Sequence, residues 1–243
     1  MDAQNKPITA CDSPAVCKAC EARNGGICAT LSASQLAELN KHSTRRKVEP
    51  GNEVIGQGEH VGSYSNIMNG VVKLSKMMAD GRQQIVGLQF APDFLGRPFL
   101  SESSVTAEAA TETEICCFPR PIIERMVAEA PDLERRLHSQ SLKELDEARD
   151  WMLTLGRKTA QEKVASFLYL IATHVDPEHS NGKSTTFDLP LSRADIADFL
   201  GLTIETVSRQ MTKLRKDNII VIENNRHVIV PDTRRLRNAA GND

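Results

Sequence analysis

Residues 191–216, which read LSRADIADFLGLTIETVSRQMTKLRK, decide the fold of this chain. Their pattern predicts two short helices that separate at Gly201, because a glycine permits a tight turn between them. Ser192 and Asp195 are spaced as a capping box at the start of the first helix, and Thr203 can cap the second. Two short helices joined at a glycine predict a helix-turn-helix, whose second helix fits the major groove of DNA. The apolar stripes expected to face inward are Ile196, Phe199 and Leu200, then Val207, Met211 and Leu214.

The outer face of the second helix carries side chains that can read DNA bases. Glu205, Ser208 and Arg209 share one side of its first two turns. Arginine can donate two hydrogen bonds to guanine, glutamate can accept one from cytosine, and serine suits several base edges. Thr203 and Lys213 complete the predicted DNA-binding set, with Lys213 suited to a phosphate contact. The alternative is that these side chains form the ordinary solvated face of a helical pair.

The bulk composition sets limits on the class of protein. The 243 residues are 40% hydrophobic and 26% charged, which is typical of a soluble globular protein with one large or two ordinary domains. The net charge is −2, so any contact with DNA is expected to be local. No apolar run approaches the ~20 residues of a membrane span, and no signal peptide opens the chain. We therefore expect a cytoplasmic protein with no membrane partner.

Four of the six cysteines lie in the first 30 residues, which lack an apolar period and are predicted to be loop: Cys11, Cys17, Cys20 and Cys28. In a reducing cytoplasm, thiols bind metal or react more often than they form structural disulfides. Three thiolates from this loop and one from the distant pair Cys116-Cys117 would make a four-cysteine site. Zinc and a [4Fe-4S] cluster can both use four cysteines. The chain lacks the second Cys-x-x-Cys hook that is usual for structural zinc, which favours the cluster and leaves zinc open.

The next hundred residues alternate in short β-rich runs that are separated by turns. The candidate strands are residues 53–55, 64–68, 71–77, 84–90, 105–109 and 112–118. The dipeptides Asn69-Gly70 and Asp80-Gly81 predict hairpins. Before these strands, residues 32–42 predict a short helix, and residues 119–128 predict another after them. So many short strands in close succession indicate a small antiparallel roll or barrel.

Residues 131–155 predict the longest helix, about 37 Å at 1.5 Å per residue. One apolar stripe recurs at spacings of three and four, as in a coiled-coil seam, and is the predicted dimer interface: Leu145, Ala148, Met152 and Leu155. A second stripe is expected to pack on the chain's own body: Leu133, Leu137, Leu142 and Leu153. Two stripes on one helix imply two partners, and the second partner is expected to be the same helix of another copy. Because the seam is short, we expect a marginal dimer, which is what a switch requires.

The remaining residues complete a second domain around the helix-turn-helix. Gly156 is the predicted hinge, and residues 160–174 predict an amphipathic helix with an inner face of Val164, Phe167, Leu168 and Ile171. Residues 176–186 contain proline and Asn-Gly and predict a surface loop. Runs 219–222 and 227–230 flank Asn224-Asn225 and predict the β-hairpin wing of a winged helix.

Taken together, these motifs resemble the CRP/FNR superfamily of bacterial transcription regulators over nearly the whole chain. Glu205, Ser208 and Arg209 match the Glu-x-x-Ser-Arg with which the FNR branch reads TTGAT-type half-sites. The Cys-x2-Cys-x7-Cys spacing, with a further cysteine in an Ile-Cys-x-Phe-Pro strand, is similar to the oxygen-sensing, FnrN/FnrL-like members. On that resemblance, Cys17, Cys20, Cys28 and Cys116 are the ligands of a [4Fe-4S] cluster, and Cys11 and Cys117 are not.

The resemblance implies an α+β fold in four parts. These are a cysteine-rich cluster-binding segment (1–30), a double-stranded β-helix sensor domain like cyclic-nucleotide-binding domains (31–130), a dimerisation helix (131–156) and a winged helix-turn-helix DNA-binding domain (157–243). Gly96-Arg97-Pro98 and Ser103-Ser104 depart from the segments with which nucleotide-binding members hold ribose and cyclic phosphate. We therefore expect no cyclic nucleotide.

The implied function is that of an oxygen-responsive transcription activator. On this reading the cluster promotes homodimerisation and binding to a palindromic double-stranded DNA operator under low oxygen, and oxygen destroys the cluster and switches the protein off. RNA polymerase is an implied partner, with the hairpin tip 79–83 as the candidate contact. An alternative keeps the DNA reader and replaces the sensor by haem, zinc or thiol redox chemistry. No Ser/His/Asp order, His-Glu-x-x-His motif or P-loop occurs in the sequence, so we expect no enzyme.

Overall fold

The computed structural model describes residues 17, 20, 25–175 and 182–241. The chain divides into two compact units. The first takes in Met1–Val72 and Gln89–Leu142, and the second takes in Lys73–Leu88 and Lys143–Asp243. Within the described ranges, none of the helices combines the length and the apolar character that crossing a bilayer requires.

Two four-stranded sheets form the β-roll that the sequence predicts. The strands are β1 (Thr44–Val48), β2 (Glu53–Ile55), β3 (Ser63–Asn69), β4 (Val71–Met77), β5 (Gln83–Phe90), β6 (Phe94–Leu95), β7 (Thr106–Ala109) and β8 (Thr113–Pro119). Their orders are β1-β8-β3-β6 and β2-β7-β4-β5. In the first sheet β8 is central and pairs antiparallel with both β1 and β3. The fold class is confirmed, and β1 and β6 are additions that the sequence pattern did not predict.

The two predicted hairpins had different outcomes. At Asp80-Gly81 the turn does join neighbouring strands, β4 and β5, and the Met78 N–H donates to the Arg82 carbonyl at 2.8 Å. At Asn69-Gly70 the hairpin prediction was wrong, because β3 and β4 lie in different sheets. The glycine is nevertheless required there. Gly70 has φ +93°, and a Cβ at this position would come within 2.5 Å of the Glu112 carbonyl oxygen.

The first unit also contains helices that pack on its strands. α1 (Ala33–His42) begins at a capping box that Ser32 and Gln35 form, and α2 (Arg120–Glu129) follows β8 directly. A single residue, Ala130, separates α2 from α3 (Pro131–Arg157). These helices and the roll share one apolar core, whose largest fully buried members include Leu36, Tyr64, Phe94, Phe118, Ile123 and Leu133.

The long helix α3 departs from the prediction at two places. It continues through Gly156 to Arg157, so the helix does not end at the predicted hinge. The break follows at Thr159, whose hydroxyl accepts the Glu162 N–H while its own N–H donates to the Glu162 carboxylate, which starts a new helix. The second apolar stripe is also shorter than predicted. The core of the first unit reaches along the helix only to Leu137, so Leu142 and Leu153 do not pack inward and remain 50% and 59% exposed.

The second unit contains a winged helix-turn-helix. Its elements are α4 (Ala160–Val175), β9 (Thr185–Asp188), α5 (Arg193–Leu200), α6 (Ile204–Lys216), β10 (Val221–Glu223), β11 (His227–Val230) and α7 (Thr233–Ala239). The wing sheet has the order β10-β11-β9. Asn224 and Asn225 both have positive φ, 49° and 58°, and the Arg226 N–H donates to the Glu223 carbonyl across this turn at 3.2 Å. Within the predicted loop 176–186, residues 176–181 lie outside the described residues, and Thr185 and Thr186 belong to a strand because they pair with β11.

Candidate metal centre and DNA-binding surface

Four thiols converge on one cavity in the first unit. The cavity has a volume of about 290 Å³, and its wall includes the four predicted ligands Cys17, Cys20, Cys28 and Cys116. Apolar side chains from α1 and the roll line one part of it: Leu36, Leu39, Met68 and Phe118. Polar side chains line the rest: Asn40, Ser43, Arg45 and Asn66. The structure thus brings together cysteines that are almost one hundred positions apart in the sequence, and Cys11 lies outside the described residues.

Local structure fixes two of these thiols in place. Cys28 lies on a short 3-10 turn, Ile27–Thr30, which is anchored because the Ile27 side chain is fully buried in the core. Cys116 lies on β8, directly opposite Arg45 on β1 and Asn66 on β3. Cross-strand partners share one face of a sheet, so the three side chains line the same cavity.

The adjacent cysteines Cys116 and Cys117 face opposite sides of their strand. Cys116 lines the cavity. Cys117 instead receives a hydrogen bond from the Ser65 hydroxyl at 3.3 Å. The alternation of side chains along a β-strand explains this difference. The geometry therefore offers Cys116, and not its neighbour, to a ligand in the cavity.

The Cys116 thiol sits in surroundings that oppose a free thiolate. Burial raises the pKa of Cys116 to about 11, and a hydrogen bond from Ser43 and the charge of Arg45 offset this effect only in part. At neutral pH the unligated thiol is therefore protonated, and a metal must displace its proton to bind. The Cys17 thiol donates to the Asn40 side-chain oxygen at 3.8 Å, and the Asn66 amide donates to the Cys28 sulfur at 3.6 Å.

The four thiols enclose a space that a metal group could occupy. A zinc ion would draw four sulfurs to about 2.3 Å from one centre. Among the residues that the structure describes, no three His, Cys, Asp or Glu side chains approach one another closely enough to hold a metal ion. The four thiols instead surround a cavity of about 290 Å³. Four cysteines are a donor set that both an iron–sulfur cluster and a zinc ion can use.

The helix-turn-helix has the geometry that the sequence predicts. Ser192 and Asp195 form the capping box of α5, and Gly201 ends that helix in the left-handed conformation at φ 61°. The Thr203 hydroxyl accepts the Thr206 N–H at 3.2 Å and so caps α6. All six apolar residues expected to face inward are buried. The predicted reading face is solvent-exposed, at Thr203, Glu205, Ser208, Arg209 and Lys213.

The predicted dimer seam is exposed on α3 of the single chain. Leu145 is 45% exposed and Met152 is 72% exposed. Ala148 is exposed as well, and Leu155 is partly buried. Leu142 and Leu153, which do not pack inward, widen this apolar strip on the helix. An exposed strip of large apolar side chains is typical of a surface that another protein covers.

The structure adds residues to the site that the sequence pattern did not reveal. Arg45 and Asn66 line the cavity through cross-strand pairing, which no local motif reports. Arg136 on α3 donates a hydrogen bond to the Gly25 carbonyl, which lies between Cys20 and Cys28 in the sequence.

Comparisons with known proteins agree with this architecture. The Crp-like helix-turn-helix domain family matches residues 162–239, and the Cyclic nucleotide-binding domain family matches residues 45–130. A probable transcriptional activator of Rhizobium leguminosarum bv. viciae is 63% identical over 232 residues, which are 96% of each chain. The transcriptional activator protein FnrL of Cereibacter sphaeroides is 43% identical, over 93% of this chain and 92% of FnrL. The solved structure of FixK2 from Bradyrhizobium japonicum is similar with a TM-score of 0.73 at 31% identity, over 81% of this chain and 96% of that one.

A β-roll sensor domain, a long helix and a winged helix-turn-helix define a DNA-binding regulator. With relatives of this identity and coverage, the chain belongs to the CRP/FNR family of transcriptional activators. The prediction of a regulator in place of an enzyme is confirmed.

Proposed function

We propose that this activator responds to oxygen through a [4Fe-4S] cluster held by Cys17, Cys20, Cys28 and Cys116. The observation that carries the proposal is the convergence of these four thiols on one cavity, in a protein that is 43% identical to FnrL. When bound, the cluster supplies a group that oxygen can degrade. The chain's own residues supply the donor sulfurs and a wall that is partly apolar and partly polar.

Contacts in the first unit attach the cysteine-bearing segment to the helix that carries the seam. The Arg136 guanidinium donates to the Gly25 carbonyl, between two of the proposed ligands. Gly25 also lies against the Pro92 ring, where an added Cβ would come within 2.5 Å of Cγ. Arg136 and Leu145 are nine residues apart, or two and a half helical turns, so they lie on opposite sides of α3. The cysteine-bearing segment therefore contacts one side of α3, and the seam lies on the other side. Fixing the segment in place is expected to fix the position of the helix as well.

We propose that Leu145, Ala148, Met152 and Leu155 form the interface of a homodimer when the cluster is bound. Their exposure in the single chain supports this assignment. Two recognition helices in a symmetric dimer address two half-sites one helical turn apart, so the operator is expected to be a palindrome of TTGAT-type half-sites. Pairing two modest binding modules raises the affinity for such an operator through effective concentration.

We infer two further features of the regulator. The tip of the β4–β5 hairpin is exposed from Ala79 to Arg82 and is the proposed contact with RNA polymerase. The roll is proposed to bind no cyclic nucleotide, although its family description refers to one. In support, Arg97 and Ser104 lie in the two segments that depart from those of nucleotide binders, and the Arg97 guanidinium donates to the Ser104 hydroxyl at 3.2 Å.

A spectrum of anaerobically purified protein tests the identity of the sensor. A [4Fe-4S] cluster is expected to give a brown protein with a broad absorbance at about 400 nm. This absorbance should be lost in air. A sharp Soret band would indicate haem in its place. A colourless protein that contains zinc, or one that contains no metal, would contradict the proposal.

Replacing Arg209 with alanine should weaken binding to the operator by about 1–3 kcal/mol for each good base contact that is lost. The reduction should be much smaller on random-sequence DNA, because the exposed Arg209 side chain is proposed to read a base edge. The Lys213→Ala variant is the matched control, since a phosphate contact contributes equally to all sequences. Fluorescence anisotropy with the two DNAs at one salt concentration measures the ratio. An unchanged ratio of specific to random affinity in Arg209→Ala would exclude Arg209 as a base reader.

Replacing Arg136 with alanine should leave iron bound but weaken the dimer. A hydrogen bond from a charged donor contributes about 1.5–3 kcal/mol, so the dimer dissociation constant should rise by about tenfold or more. The control is Arg135→Ala, because Arg135 is exposed and pairs only locally with Asp132 at 3.4 Å. Iron analysis and sedimentation of the anaerobic proteins give the two readouts. If Arg136→Ala retained iron and dimerised like the wild type, the contact between Arg136 and Gly25 would not link iron binding to dimerisation.

A further inference from the structure

We propose that Asn66 is a positioning residue of the cysteine site, whose side-chain N–H donates a hydrogen bond to the Cys28 sulfur and slows the loss of iron from it. The inference rests on the proposed function, since it concerns the group that the four thiols hold. Three observations carry it. The Asn66 nitrogen lies 3.6 Å from Cys28 Sγ, the residue is only 3% exposed, and its side chain lines the cavity beside the thiols.

The environment of Asn66 does not explain an asparagine by packing alone. Its neighbours along β3, Tyr64 and Ile67, are fully buried. Among the residues that the structure describes, none forms a hydrogen bond with the buried side-chain oxygen of Asn66. Leaving a buried polar atom unpaired costs about 1–3 kcal/mol. An apolar side chain of the same size would avoid that cost, so the amide is expected to have another use at this position.

Chemistry decides which end of the amide faces the sulfur. A ligating cysteine is a thiolate, which accepts hydrogen bonds and donates none. Only the N–H end of the carboxamide can therefore pair with Cys28 when the site is loaded, and this is the orientation that the structure has. A neighbouring backbone position supports the geometry, because Asn66 is also the direct cross-strand partner of Cys116. The Asn66 amide thus lies beside two of the four proposed cysteine ligands, Cys28 and Cys116.

Hydrogen bonds to the sulfurs of an iron–sulfur cluster tune its reduction potential. A donor removes electron density from the thiolate, so its loss is expected to lower the potential and make oxidation easier. Partners that orient metal ligands typically contribute a factor of 10–100 to metal retention. Leucine at position 66 keeps the branched shape of asparagine, with a larger volume, and removes the donor. Asn66→Leu should therefore release iron to a chelator about tenfold faster than the wild type under anaerobic conditions.

The experiment compares full-length wild type, Asn66→Leu and Gln89→Leu after anaerobic reconstitution with iron and sulfide. Gln89 is the matched control, because it is also a buried amide of the first unit and does not line the cavity. The readouts are the rate of iron release, the midpoint potential, and the Fe–S(Cys) stretching band in resonance Raman spectra. Thermal unfolding of the iron-free proteins shows whether each variant still folds.

Faster iron release, a lower potential and a shifted Fe–S band in Asn66→Leu, with Gln89→Leu unchanged, would support the inference. Wild-type release and an unmoved band in Asn66→Leu would overturn it and leave Asn66 as a packing residue. If Asn66→Leu does not fold, Asn66→Val, which removes the N–H without adding a charge, must show the same changes. A wild type that binds no iron would refute the proposed function itself, whereas iron binding that is insensitive to position 66 would refute only the role of Asn66.

Discussion

Replacing Cys116 with serine is expected to eliminate bound iron, whereas the same change at the adjacent Cys117 is expected to leave iron in place. Cys116 lines the cavity with the three other thiols, and Cys117 pairs with Ser65 on the opposite side of the strand. A four-cysteine cluster that loses one thiolate loses a quarter of its protein ligands, and a serine hydroxyl is a poor substitute for a soft sulfur donor. The two variants make the same chemical change one residue apart, so their difference isolates the geometry of the site.

Iron and acid-labile sulfide per chain, measured after anaerobic purification, give the result. The wild type and Cys117→Ser are expected near the full content of a [4Fe-4S] cluster, and Cys116→Ser near background. Cys20→Ser should behave as Cys116→Ser does, because Cys20 is on the same cavity wall. Equal iron loss in both strand variants, with both proteins folded, would show that the strand tolerates neither change. If iron were lost only from Cys117→Ser, Cys117 and not Cys116 would be the fourth ligand.

Introducing glutamate at Leu145 is expected to convert the iron-loaded dimer to a monomer and to reduce operator affinity by about 10²–10⁴-fold, the usual gain from linking two binding modules. Leu145 is 45% exposed in the single chain and is the first residue of the proposed seam. In a symmetric dimer the same position meets its own copy, so each substitution places two carboxylates in an apolar interface. Neither recognition helix is altered, so the expected loss of operator affinity comes only from separating the two DNA-binding modules.

The matched control is Ser139→Glu, which adds the same charge to an exposed position on the opposite side of the helix from the seam. Analytical ultracentrifugation and operator titration of anaerobic samples measure both properties. Leu145→Glu should retain its iron, since the cavity is formed by other residues. A variant that remained dimeric, or one that became monomeric and still bound the operator at wild-type affinity, would place the interface elsewhere.

Elements with local determinants could be predicted from the sequence. The helix-turn-helix is specified by the Ser192–Asp195 capping box, the left-handed Gly201 and the Thr203 cap, each acting within a few residues. The Asp80-Gly81 hairpin is similar, because the strands on either side pair directly with each other. The resemblance also placed Cys17, Cys20, Cys28 and Cys116 at one site, and the structure places all four on one cavity wall. Their role as ligands stays a prediction.

Elements fixed by distant partners could not be predicted in this way. β1 carries a run of exposed charged residues and is a strand only because it pairs with β8, about seventy positions later. Asn69-Gly70 has the same local chemistry as a hairpin turn, yet β3 finds its partners in β6 and β8. Leu142 and Leu153 continue an apolar period past the end of the core that they were expected to join. Asn66 and Arg136 contact residues 38 and 111 positions away, which no short motif encodes.

The most direct test of the account follows one anaerobic sample through exposure to air. Sedimentation and operator affinity are measured before exposure, and both are measured again as the iron is lost. The account predicts an iron-loaded dimer that holds its operator, followed by a monomer that binds about 10²–10⁴-fold more weakly once the iron has gone. Loss of iron with no change in sedimentation or in operator affinity would contradict it.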